Sequence, residues 1–292
     1  MSNASFYTDL FNTREKAVII WLLIFLVLAL SQKNIRISLW SFIKLLFQRK
    51  ILVLIMAMLF YTGLTVFILS ETGIWEVFLI KDTIFWVFGS AFVLMMNSNK
   101  ATQDEHHFKK IIFDNLKLIL IIEFIINRYT FSLCIELILV PVLFVIVAMS
   151  AFAEMKKEYM SVKKLIDFIL SAFFILLIVF AMVKILGDYK AFVSSKNLRV
   201  FSLPPLLTFA YIPFLYLFAL VMAYENLFFR FDILLKKDQK LAKFAKQKVF
   251  ALCHANLGKL NKFSKETTQE LMKMSSRDDI LNMIENFKKN FR

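Results

Sequence analysis

Seven apolar runs, at 17–30, 51–69, 75–96, 111–127, 131–153, 165–186 and 201–223, limit this chain more than any other feature. A helix needs roughly 20 residues to cross the hydrocarbon of a bilayer. Five of the runs are that long. The run at 17–30 is shorter, but Lys16 and Lys33 at its ends can snorkel outward, so it is still read as a span. It is also read as retained, because Ser31-Gln32-Lys33 does not make a small-residue cleavage site. The run at 111–127 carries Asp114, Lys117 and Glu123, and its neighbours must decide it.

A soluble core of this size cannot shelter so much apolar surface. The chain is 59% hydrophobic, against about 45–50% in a soluble domain. With 34 Phe but only 5 Gly and 4 Pro, long uninterrupted runs indicate helices and not a β-barrel. The expected fold is therefore all-α: a polytopic membrane helix bundle of about seven transmembrane helices over residues 1–224, followed by a helical tail over 225–292. The Lys-, Ile-, Asn- and Phe-rich composition suggests an AT-rich, bacterial genome, and hence a multi-pass protein of the cell inner membrane.

Loop charge gives the orientation, because Lys and Arg accumulate on the cytoplasmic side. Residues 31–50 hold Lys33, Arg36, Lys44, Arg49 and Lys50 and no acid, so they belong inside. Residues 70–74 hold Glu71 and no base, so they belong outside. Loops 97–110 and 154–164 both read as inside, so 111–127 is expected to cross and 131–153 to cross back; the alternative is that 111–127 lies flat in the interface and the charge rule is broken once. The tail has 15 basic and 8 acidic residues and belongs inside as well. The N-terminus is then outside and the C-terminus cytoplasmic. Cys134 and Cys253 fall in different compartments in this arrangement and cannot pair with each other.

Two further segments are amphipathic. Residues 35–47, within a basic stretch at about 33–50, repeat apolar positions at helical spacing. They read as a helix lying on the inner leaflet or as an extension of the second span. In the tail, Phe231, Leu234, Leu235, Leu241, Ala245, Val249 and Leu252 form one stripe, and the last span is expected to run on through 214–257, with Gly258 as its stop. Ser276 and Asp279 look like a helix start before Ile280, Leu281, Ile284, Phe287 and Phe291. These stripes need a cover: the tail itself, the leaflet, or other copies of the chain.

Ionisable residues inside spans are expensive and therefore the best functional pointers. Lys81, Asp82, Asp114, Lys117, Glu123 and Glu136 are the candidates, either as a polar path for ions or as charge pairs that hold helices in register. Glu123 and Glu136 flank the short outer turn near 127–130. Pro141 removes the donor to the Leu137 carbonyl, leaving an oxygen one position from Glu136 as a candidate cation ligand. Asp167 and Lys184 read as interfacial. Pro204, Pro205 and Pro213 mark a second interrupted helix, not matched in position to the first, as paired transporter repeats would be.

Asp104-Glu105-His106-His107 has metal-binding residue types, but adjacent histidines on a helix diverge by about 100°, and the segment reads as a solvated loop. His254 reads as surface or partner packing. No metal site, cofactor motif or catalytic motif is expected, and the chain is not expected to be an enzyme. The basic tail favours anionic lipid over nucleic acid. Small size and open stripes point to a homo-oligomer. The function expected first is an oligomeric channel or pore-forming effector controlled by its tail. Next come a scaffold or sensor recruiting a soluble cytosolic partner, and then a proton- or cation-coupled transporter.

Overall fold

The computed structural model describes residues 11–98, 111, 125, 129–187, 189–235, 238–266 and 276–290. Every regular element among them is helical. In chain order they are α1 (Thr13–Ser31), α2 (Lys33–Leu46), α3 (Arg49–Glu71) and α4, which covers Val77–Met96 with a π-turn at Val87–Ala91. Next come α5 (Leu133–Glu154), α6 (Lys157–Gly187), α7 (Ser195–Leu234), α8 (Gln239–Cys253), α9 (Leu257–Glu266) and α10 (Arg277–Asn290).

Five of these, α3 to α7, are long and apolar enough to cross a membrane, and α1 with α2 makes a sixth if the bent pair counts as one span. This is the pattern of a multi-pass membrane protein. The expected crossing at 111–127 lies outside the described residues, apart from single positions. α1 and α2 meet at 107° across Gln32, whose extended backbone interrupts the helix. α2 is thereby set off from α1, and a short turn at Phe47 and Gln48 separates it from α3.

Three expectations change in detail. The loop expected at 154–164 is mostly helix: α6 starts at Lys157, so Lys163 and Lys164 ride on its first turns, and Lys163 pairs with Glu154 at 2.9 Å. α7 runs unbroken through Pro204, Pro205 and Pro213. Proline removes a donor but not the packing that holds the flanking turns. The helix expected over 214–257 stops at Leu234, and Asp238 caps α8 by accepting from the Leu241 N–H at 2.9 Å.

The chain divides into two compact units. The first comprises residues 1–60, 72–81 and 116–203, and the second 61–71, 82–115 and 204–292. In the first, α5 packs against both α1 and α6, and Ser150 of α5 donates to Asp167 of α6 at 2.7 Å. Most large apolar side chains on these helices point outward, including Leu22 and Val27 of α1 and Ile138 and Phe144 of α5. Gly73 takes φ +70° in the turn between α3 and α4, a backbone that side chains rarely adopt.

In the second unit, the C-terminal half of α7 forms one apolar core with α8, α9 and α10. Phe231, Leu235, Ala245, Val249, Leu260, Phe263, Ile280 and Phe287 are buried in it. The tail thus covers most of the described positions of its own stripes, while Leu281 stays exposed and Phe291 lies outside the described residues. The boundary expected at 224/225 falls inside α7 and inside this core. Ser276 and Asp279 start α10 as a reciprocal cap: the Ser276 N–H donates to the Asp279 carboxylate at 2.9 Å, and the Asp279 N–H to the Ser276 hydroxyl at 3.2 Å. Gly258 is not a stop, because it lies in the first turn of α9. α8 ends at His254 instead, which adopts φ 45°.

Candidate functional site

The first unit holds a compact set of charges at the start of α1. Asn12 caps that helix: its side chain accepts from the Glu15 N–H, and the Glu15 carboxylate accepts from the Asn12 N–H at 2.8 Å. The same carboxylate lies 3.1 Å from Lys81 Nζ through both of its oxygens. Next to Glu15, Arg14 holds Glu136 in a two-point contact, with Nε 3.1 Å from Oε2 and a terminal nitrogen 3.1 Å from Oε1.

Glu136 is 0% exposed. It also accepts from the Phe131 N–H at 3.0 Å, and it sits in the first turn of α5, where the helix dipole favours a negative charge. Thr13 Oγ1 lies 2.6 Å from both the Thr130 hydroxyl and the Phe131 carbonyl. Two positive and two negative groups thereby tie the start of α1 to α4 and to α5. Burying an ion pair carries a desolvation cost that its mutual attraction and hydrogen bonds must offset, so removing one partner leaves the other uncompensated.

Lys81 and Glu136 thus fall in one cluster, and their partners, Arg14 and Glu15, lie ahead of the first apolar run. A search confined to charges inside the runs misses them. The signal that could have found them is the Asn12-x-x-Glu15 spacing of a capping box. Asp82 is half-buried on the next position of α4. Asp114, Lys117 and Glu123 lie outside the described residues, as does the 104–107 segment. The Leu137 carbonyl freed by Pro141 is no cation ligand here, because it accepts from the Trp21 indole N–H at 2.8 Å. Among the described residues, no three His, Cys, Asp or Glu side chains gather as a metal site.

The second unit contains a neutral polar seam near the middle of three helices. Trp86 of α4 donates to the Thr208 hydroxyl at 3.0 Å, and that hydroxyl donates to the Pro204 carbonyl at 2.8 Å. Tyr61 of α3 donates to the Ala210 carbonyl at 2.8 Å, in the turn loosened by Pro213. The ring of Tyr211 stacks on Phe214 and meets Trp86 edge-on at 5.4 Å. The Tyr211 hydroxyl is buried and has no hydrogen-bond partner among the described residues. The π-turn of α4 begins directly after Trp86, and such turns recur at functional places in helices. These residues carry no charge, so a search for ionisable groups passes over them. Hydroxyl-bearing aromatics beside a proline cluster are the signal that remained.

The same helix, α7, continues into the tail, where two of its tyrosines hold the turn between α8 and α9. Tyr224 donates to the His254 carbonyl at 2.7 Å and Tyr216 to the Ala255 carbonyl at 2.7 Å. The Leu257 N–H donates to the Tyr216 hydroxyl at 3.2 Å. His254 therefore sits in a strained backbone held from α7. Beside it, burial pushes the Cys253 thiol up to about 11, with Lys259 pulling the other way.

No family model matches the chain, and neither a curated protein nor a solved structure is detectably similar to it.

Proposed function

We propose that this chain is a membrane channel or pore-forming effector whose opening is controlled by its helical tail through α7. The observation that carries this reading is the continuity of α7 over Ser195–Leu234. One part of that helix supplies Thr208 and Tyr211 to the polar seam, and its last turns supply Leu227 and Phe231 to the tail core. A helix is stiff along its axis, so a rearrangement of the tail bundle shifts the residues of the seam. The span-length portion of α7 is also the most enclosed, with 39% of its residues buried against 11% in α3 and α5. That suits an element packed within the protein, while α3 and α5 leave most of their surface to lipid or to further copies of the chain.

The test is single-channel recording of the purified full-length protein in planar bilayers. Discrete conductance steps are expected. Thr208→Val should change their size or ion selectivity, and Tyr224→Phe should change how often they open. Silent bilayers from a sample whose Cys253 remains protected from thiol reagents would overturn the channel reading.

A second reading, a scaffold that recruits a soluble cytosolic partner, is favoured by one observation. The tail buries most of the described positions of its stripes and leaves a lysine-rich exterior, with Lys240 and Lys243 exposed on α8. It predicts a co-purifying protein that is lost in Lys240→Glu/Lys243→Glu while the bilayer stays silent.

A further inference from the structure

The turn between α8 and α9 lies at a definite height along α7, which can be set against the thickness of a bilayer. Arg199 near the start of α7 pairs with Glu76, just ahead of α4. Two charged groups at helix ends mark the boundary where the spans leave the hydrocarbon. With a rise of about 1.5 Å per residue, Tyr216 lies ~26 Å along α7 from Arg199 and Tyr224 ~38 Å. The hydrocarbon is about 30 Å thick, and the headgroups extend the bilayer to about 40–45 Å.

Tyr216 and Tyr224 hold Ala255 and His254 directly. By this measure the turn over 254–256 reaches from the edge of the hydrocarbon, at Ala255, to the headgroups, at His254, and α8 runs back from it along α7 toward water. Its exposed groups suit that place. Phe250, in the last turn of α8, is 57% exposed and has no buried position to occupy. His254 is exposed, and the half-buried Lys259 follows in the first turns of α9. Together α8 and α9 carry seven lysines against Glu266 alone, a charge complementary to anionic lipid, where each cation near the surface contributes about 1 kcal/mol. α10 is balanced, with Arg277, Lys288 and Lys289 against Asp278, Asp279 and Glu285, and lacks that complementarity.

We infer that the α8–α9 turn is a lipid contact: Phe250 enters the interfacial layer on the tail's side of the membrane, and Lys259 meets the phosphate of an anionic phospholipid. This goes beyond the channel reading and holds whether or not the chain conducts ions.

The test uses full-length protein with Cys134→Ser, reconstituted in nanodiscs of phosphatidylcholine alone or mixed with phosphatidylglycerol. A nitroxide is placed at Phe250→Cys or, for comparison, at Lys243→Cys, two turns farther from the membrane. Cys253 is buried and remains unlabelled, and its lack of reactivity reports that the tail is folded. Collision with oxygen relative to a water-soluble nickel chelate should be several-fold higher at 250 than at 243. It should rise further when phosphatidylglycerol is added, and Lys259→Glu should abolish that rise. Equal nickel access at the two positions would overturn the membrane contact. A ratio indifferent to phosphatidylglycerol, or to Lys259→Glu, would overturn the anionic headgroup.

Discussion

Around Glu136, charged groups form the interior, while leucine, valine and phenylalanine on the same helices point outward. Around Phe263 the arrangement is inverted: Leu260, Ile284 and Phe287 fill the interior, and lysines cover the outside. The two regions belong to one chain and are built from the same element, so the helix itself does not decide which side chains it buries. The surrounding solvent does. Among apolar surroundings, helices gain little by hiding leucine from hydrocarbon, and specific polar contacts fix their positions. In water, removing apolar area from solvent is the main driving force, at about 25 cal/mol per Å². The first region should thus respond chiefly to loss of a charge partner, and the second to loss of volume.

The largest effects test that contrast directly. Glu136→Ala removes the two-point partner of Arg14 and should cost about 3–5 kcal/mol of stability, while Arg14→Met/Glu136→Met, which removes both charges, should recover most of it. Phe263→Ala should cost a similar ~3–5 kcal/mol, but through a cavity, and no charge substitution should rescue it. Thermal unfolding in nanodiscs gives the totals, and alkylation of Cys253 assigns them. The thiol should stay protected in Glu136→Ala and become reactive in Phe263→Ala. If both variants expose it, the two regions do not respond separately and the contrast fails.

A smaller effect follows from pH. The Cys253 thiol titrates near 9.0 when unfolded and at about 11 when folded. Between those values the folded tail holds a proton that the unfolded chain has released. Stability is therefore complete below pH 9 and falls as pH rises toward 11, by roughly 1 kcal/mol per pH unit. Cys253→Ala should remove that slope, as read by denaturant unfolding across this range.

His254→Gly should stabilise the tail by about 1 kcal/mol, because glycine adopts the positive φ without strain. Tyr224→Phe in the same background should lower stability again through loss of the hydrogen bond. The smallest change is expected at Lys81→Met. Its pair with Glu15 is partly solvated on both sides, so the loss should stay near 0.5–1 kcal/mol, well below that of Glu136→Ala. An equal loss at both positions would show that burial does not grade these pairs.

Local pattern made much of the architecture legible in the sequence: six of the seven apolar runs coincide with helices, the Ser276–Asp279 cap stands where its spacing places it, and the segment at 35–47 is amphipathic and helical. Such features depend on neighbours three or four residues away, or on overall hydrophobicity, and both can be read along the chain. Tertiary structure alone decided the pairings. It set Arg14 against Glu136 across 122 positions, placed the Trp21 indole on the carbonyl that Pro141 frees, and folded the tail stripes against α7. It also placed the strained turn at His254 and left Gly258 within a helix. A charge or an open carbonyl in a sequence shows only that a partner is required. Which group meets that need depends on helices brought together in space, where burial makes an unmatched polar group too costly to leave alone.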